Sequence, residues 1–204
     1  MMKLFFAKGA CSLAVRIVIN EINVDCNYEA VNLQTKKTES AQDFLKINPK
    51  GAVPALELDN GQILTENAVV QQYLADKFHA RELLPPVGDL SRYRTLEWMN
   101  FITTELHKSF GNLFNSTISQ ELKDKIFIPL IKTKLGFIDK HLKHQYLMGE
   151  HFTLPDAYMF VILLWATKFK IDLKAWDHLP RYFATLQKRP AIIKSLKEEA
   201  LEIA

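Results

Sequence analysis

Cysteine, glycine and net charge are all scarce in this 204-residue chain. Its two cysteines, Cys11 and Cys26, cannot build a disulfide framework. Nor are they spaced as C-x-x-C: the position three residues after Cys11 holds Ala14, which excludes a local dithiol cycle. The formal charge is +3, from 26 basic and 23 acidic side chains, with no dense basic run. Nucleic acid or an acidic membrane is therefore not expected as the main partner. No apolar stretch approaches the ~18 residues of a membrane span. The start of the chain has an apolar run, Leu4 to Ala7, but Lys8 ends it before it reaches the length of a signal-peptide core. Export by this segment is not expected; a reducing, cytoplasmic location is. There is no internal repeat and no low-complexity tract.

What is present is ordinary globular composition, 48% hydrophobic and 24% charged, enough to bury a core without staples. The first third alternates strand-like and helix-like pieces. Residues 3–7 read as a buried strand, Gly9 as a break, and Ser12 as the cap of a helix "LAVRIVINE". "YEAVNL" is a second strand; "QTKKTESAQ" reads as a polar loop leading to a short helical piece "DFLKI", stopped by "NPKG". "AVPALELD" and "QILT" flank Asn60-Gly61, a hairpin signal. "TENAVVQQYLADKF" then resumes helical spacing, with Val69, Val70, Tyr73, Leu74 and Phe78 on one face. The predicted order is β-α-β-α-β-β-α, with the first two strands parallel and the last two antiparallel. After the Pro/Gly-rich stretch "HARELLPPVGDL" only helical character remains. The fold class read from this is α/β plus all-α: an N-terminal domain at 1–79, a linker at 80–88, and an all-helical domain at 89–204.

Several residues stand out chemically. Cys11 lies at a helix N-terminus, where unpaired amides and the helix dipole lower a thiol pKa; it reads equally as a small buried hydrophobe. Val53-Pro54 is a strand-entry proline whose cis or trans state the sequence leaves open. Glu66 and Asn67 open the third helix, as dipole complements or as part of an anion-binding end. On "EWMNFITTELHKSF", at ~100° per residue, Asn100, Thr104 and His107 share a polar stripe opposite Trp98, Met99, Ile102, Leu106 and Phe110. By itself that stripe reads as solvated. Thr153 and Asp156 have the spacing of a capping box, so Asp156 reads as structural. His141 and His144 lack further ligands and read as surface residues rather than a metal site.

Taken together, "KGACSLA" (8–14), "LQTKKTES" (33–40), "FLKINPKGAVPALELDNGQILTEN" (44–67), "YLAD" (73–76), "EWMNFITTELHK" (97–108) and "LPDAY" (154–158) resemble the cytosolic glutathione transferases, specifically the bacterial beta class. The resemblance implies a thioredoxin-like domain followed by a helical one, assembled as a homodimer. It implies glutathione as co-substrate, with no metal, and small hydrophobic electrophiles as acceptors. In such proteins the residue matching Val53 pairs its backbone with the cysteine of glutathione, and a cis proline, here Pro54, follows. Glu66 and Asn67 match the residues that hold the γ-glutamyl group, and Lys36 the one that reaches the glycine carboxylate. Asn100, Thr104, His107 and Lys108 match residues facing the thiol and the second substrate. Cys11 matches a residue that forms a mixed disulfide with glutathione. Ser12, Cys11 and His107 are the expected catalytic set, His107 either assisting thiol ionisation or acting as general acid toward the acceptor. Two departures are visible: Phe6 and Asn67 stand where many relatives have tyrosine, and serine or glycine. The expected reaction is conjugation of glutathione; the alternatives are a glutathione-dependent thiol-disulfide or dehydroascorbate-type reductase using Cys11, and a non-enzymatic hydrophobic-ligand binder.

Overall fold

A computed structural model describes residues 1–202. It divides into two compact units, one of Met1–Leu84 with Pro190–Glu202, the other of Pro85–Arg189.

The first unit is built on a mixed five-stranded sheet. Its elements are β1 (Lys3–Phe6), α1 (Ser12–Glu21), β2 (Asn27–Asn32), β3 (Lys37–Thr38), α2 (Phe44–Ile47), β4 (Ala55–Glu57), β5 (Ile63–Thr65) and α3 (Asn67–Lys77). The strand order is β3-β2-β1-β4-β5. β1 pairs parallel with β2, Leu4 opposite Tyr28, as the helical crossover requires. β4 and β5 form the antiparallel hairpin across Asn60-Gly61, where Gly61 takes φ +78°. The thioredoxin-like reading of this domain holds. The structure adds β3, inside the stretch read as a polar loop. It is two residues long, pairs antiparallel with Val31 and Asn32, and is too short and polar to show a period.

The sheet buries apolar side chains on both faces. Phe5, Val31, Phe44, Val53 and Ala55 form one cluster, with the Phe5 and Phe44 rings 5.8 Å apart. This fixes the base of the Val53-Pro54 turn, whose peptide is cis. On α3 the buried face is Asn67, Val70, Gln71, Leu74 and Ala75, while Val69 is exposed. Two amides thus occupy core positions where an apolar stripe was predicted.

The second unit is helical: α4 (Leu90–Phe101), α5 (Lys108–Phe114), α6 (Gln120–Leu122), α7 (Ile128–His141), α8 (Leu154–Lys168) and α9 (Leu179–Gln187), with π-helical turns at Ile102–His107 and Lys123–Phe127 and a 3₁₀ turn at Leu173–Ala175. α8 is buried nearly all round, as its continuous apolar run predicts. Its start is the Thr153–Asp156 box, in which the Thr153 amide and hydroxyl both donate to Asp156 Oδ2 at 2.8 Å. Asp156 Oδ1 also accepts from the Leu147 amide and the Tyr182 hydroxyl.

"LPRYFATLQKRPAIIKSLKEE" does not form one helix. Pro190 ends α9 and opens α10 (Pro190–Glu198), as a proline at a first helical position does. The sequence reading groups residues 190–204 with the helical domain. By packing, α10 lies against α1 and belongs with the sheet. The reason is electrostatic as well as apolar: Arg16 of α1 pairs with Glu199 and Glu198, and Asn20 bonds to Ser195.

Candidate functional site

Within the first unit Cys11, Ser12, Val53 and Asn67 meet at the loop between β1 and α1, whereas Lys36 and Glu66 bond to Gly51 and Lys50. Cys11 is the N-cap of α1, in helical conformation, and 8% exposed. Its thiol donates to the backbone carbonyl of Val53 at 3.2 Å, which joins the loop to the residue before Pro54. The Asn67 side-chain amide, from the first turn of α3, donates to the Cys11 carbonyl at 2.6 Å. Three segments far apart in sequence are thereby held together by two hydrogen bonds.

The environment of Cys11 favours the buried one of its two sequence readings. A helix start lowers a thiol pKa, but here burial pushes it up to about 11, and hydrogen bonding around Asn67 and the Cys11 and Ser12 backbone offsets this only in part. The thiol points at a carbonyl, which stabilises S–H rather than thiolate. Cys26 is raised to about 11 as well, again by burial first. Both cysteines are free thiols.

Ser12 is fully buried, and its hydroxyl turns back to β1 rather than into α1. It accepts from the Ala7 amide at 3.2 Å and donates to the Ala7 carbonyl at 3.4 Å. It clamps the loop instead of capping the helix. Lys36, at φ +56°, donates to the Gly51 carbonyl at 2.8 Å, two residues before Val53. Glu66 is the N-cap of α3 at φ +71°, a conformation that a residue with a Cβ adopts at a cost of about 1–3 kcal/mol. Its carboxylate is exposed and pairs with Lys50, which also reaches the Thr65 hydroxyl at 3.0 Å.

Two participants were not singled out from sequence. Lys50, inside "NPKG", reads there only as part of a helix stop. Gln71 is buried, donates to Asn67 Oδ1, and has an amide oxygen without a partner. The signal available for Gln71 was its place four residues after Asn67, on the same face of α3.

In the second unit Asn100 and Thr104 are exposed, as is Lys108. Thr104 donates to the Asn100 carbonyl at 3.0 Å. His107 departs from the stripe: it is half-buried, its Nδ1 is 2.5 Å from the Tyr158 hydroxyl, and its ring lies 5.2 Å from that of Trp165. The π-helical turn explains this. Bonding from i to i+5 inserts a residue into the turn, so angles counted at a constant 100° do not carry across Ile102–His107. Among the described residues no three His, Cys, Asp or Glu side chains gather as a metal site.

Family models match both parts of the chain, the glutathione S-transferase N-terminal domain over residues 1–76 and the C-terminal domain over 103–190. Glutathione S-transferase GstA of Escherichia coli O157:H7 is 42% identical over 98% of this chain and 100% of its own length. This chain belongs to the glutathione S-transferase family. Solved structures agree: a glutathione transferase from Methylococcus capsulatus is 44% identical with a TM-score of 0.94, over 98% of this chain and 99% of that one. A beta-class glutathione S-transferase of Sphingomonas chungbukensis is 39% identical with a TM-score of 0.93, over 98% and 100%. A sphingomonad glutathione S-transferase complexed with glutathione is 40% identical, also with a TM-score of 0.93 and over 98% and 100%. The family's neighbourhood here is the bacterial beta class, and the N-terminal family match contains Cys11, Lys36, Val53, Glu66 and Asn67. No helix among the described residues is long and apolar enough to cross a membrane.

Proposed function

We propose that this family member conjugates the thiol of glutathione to small, hydrophobic electrophiles. The observation that carries the proposal is the linked group Cys11–Val53–Asn67, which brings a thiol, a carbonyl before a cis proline and the start of α3 together. Val53 offers a strand-like edge for the cysteine of glutathione, and Glu66 with the first amides of α3 suits its γ-glutamyl end. Because the Asn67 side chain is spent on Cys11, its backbone N–H is the better candidate for that contact. Lys36 serves the glycine carboxylate. Asn100, Thr104, His107 and Lys108 are assigned to the thiol and the acceptor, His107 as general acid through an imidazole oriented by Tyr158. Ser12 acts by shaping the Cys11 loop.

The reductase alternative uses Cys11 as sole nucleophile, with free glutathione resolving the mixed disulfide. The Cys11 thiol is buried and donates to the Val53 carbonyl, and burial raises its pKa, which favours conjugation over a resting cysteine nucleophile. Assays of the wild-type chain with chlorodinitrobenzene and with hydroxyethyl disulfide, each with glutathione, test this. Conjugation exceeding disulfide reduction is expected; the reverse order overturns the proposal. Failure to bind immobilised glutathione would favour the non-enzymatic binder. We assign the chain to a homodimer in a reducing, cytoplasmic setting, consistent with two free thiols; light scattering on the purified chain tests the dimer.

A further inference from the structure

We infer that Glu199, just beyond the end of α10, is a positioning residue for the loop that carries Cys11. The loop leaves β1 at Phe6 and enters α1 at Ser12. Its own closures are short: the Ala10 amide donates to the Ala7 carbonyl, and Ser12 clamps Ala7. Between these lies Gly9, at φ +67°, whose amide donates to Glu199 Oε2 at 2.8 Å. Gly9 is two residues from Cys11, and its bond partner lies 190 positions along the chain.

The acceptor is built to stay in place. The Glu199 side chain is fully buried, and its other oxygen takes the Arg16 Nε at 3.0 Å. Arg16 is itself immobilised. Its guanidinium lies 4.4 Å from the Phe6 ring centre and 3.7 Å from that of Tyr28, and a second nitrogen reaches Glu198. A carboxylate accepting from a fixed guanidinium and a backbone amide makes charge-assisted bonds with little freedom. Leu201 lies beside the same joint: a Cβ on Gly9 would sit 3.5 Å from its side chain. The segment after α10 therefore runs along the loop apex and bonds to it through Glu199.

Besides the Arg16 pairs, α10 is held on α1 away from the loop: Asn20 donates to the Ser195 hydroxyl at 2.8 Å and to Glu198 at 2.9 Å. Docking therefore has an anchor that can be removed without touching the loop. The consequence assigned to Glu199 is the buried, carbonyl-bonded state of Cys11 Sγ: with the Gly9 anchor weakened, the loop opens and the thiol reaches solvent. The further consequence, weaker glutathione binding, rests on the reading of Cys11 and Val53 as glutathione-facing; the exposure of Sγ does not.

The test uses the full chain with Cys26→Ser, so that Cys11 is the sole thiol. Iodoacetamide alkylation is followed by intact mass at pH 8 without glutathione, beside the KM for glutathione and the melting temperature. Glu199→Gln is expected to raise the alkylation rate at least tenfold and the glutathione KM several-fold. Gly9→Ala, which strains the loop from its own side, should move both in the same direction and carries the test where Glu199→Gln does not fold. Asn20→Ala should lower the melting temperature and leave alkylation at the parent rate. If Glu199→Gln and Gly9→Ala both alkylate at the parent rate while melting earlier, Glu199 is only structural and the inference is overturned. Faster alkylation in a chain that binds no glutathione would sustain the positioning role and sink the glutathione reading.

Discussion

Each unit contains a buried carboxylate with raised pKa, and the two are supported in opposite ways. In the helical unit, burial raises Asp156, and it is satisfied by neutral donors: two backbone amides and the Thr153 and Tyr182 hydroxyls. In the sheet unit, burial raises Glu199, and it faces a full positive charge on Arg16 together with the Gly9 amide. Asp156 closes a local motif and holds the start of a helix. Glu199 closes the chain on itself, joining its last helical segment to its first loop. The Thr153 half of the first arrangement follows from a four-residue pattern, with Leu147 and Tyr182 added by packing; the second exists only once the fold is formed. The ion-pair half of the Glu199 arrangement is replaceable in principle by apolar groups, whereas its bond to the Gly9 amide, like every bond to Asp156, is not.

The contrast gives a ranked set of outcomes. All three tryptophans, Trp98, Trp165 and Trp176, lie in the helical unit, so fluorescence reports that unit and circular dichroism reports both. Asp156→Ala should be the most damaging, about 4 kcal/mol, because it strands buried donors at Leu147 and Thr153; urea unfolding read by fluorescence checks it. Arg16→Met should cost about 3 kcal/mol by leaving Glu199 buried without its partner. Adding Glu199→Leu should recover part of that loss, the remainder being the acceptor taken from the Gly9 amide. No second change should recover Asp156→Ala, and equal rescue in both units would break the comparison. Asn67→Ala should cost about 1–2 kcal/mol through the unpaired Cys11 carbonyl and should raise the glutathione KM.

The smallest effect concerns pH. Glu29 is held down at about 2: burial opposes ionisation, but hydrogen bonds from Ser40, Thr38 and Lys3 and the charge of Lys3 outweigh it. A carboxyl whose folded pKa is depressed stabilises above its unfolded pKa and loses that contribution as pH falls toward the folded one. Glu29→Gln should therefore cost about 1 kcal/mol at pH 7. The gap between variant and wild type should begin to close below pH ~4.5 and vanish near pH ~2. Circular dichroism melts across that range check it, with fluorescence melts as the less affected control.

Local signals carried the parts of this fold that local chemistry decides. The Asn60-Gly61 hairpin, the parallel pairing of β1 with β2 and the Thr153–Asp156 box all follow from a few adjacent residues. β3 escaped because a two-residue polar strand has no period, and the α9–α10 break was available at Pro190 but masked by continuous apolar spacing around it. The residues proposed for the candidate site were named from sequence, largely through the family resemblance. Their states could not be. Burial at Cys11 reverses the effect expected of a helix start, and the π-helical turn moves His107 off its predicted face. Both depend on packing partners, Val53 and Tyr158, that lie more than 40 positions away. Nothing in the local sequence marks Arg16 and Glu199 as partners, since they meet across 183 positions.

The most direct test of the central claim is the rate at which Cys11→Ala conjugates glutathione to chlorodinitrobenzene. A buried, protonated thiol that borders the glutathione site predicts a kcat within about threefold of wild type. A hundredfold loss of kcat at saturating glutathione, in a folded variant, would make Cys11 the nucleophile of the main reaction and contradict the account.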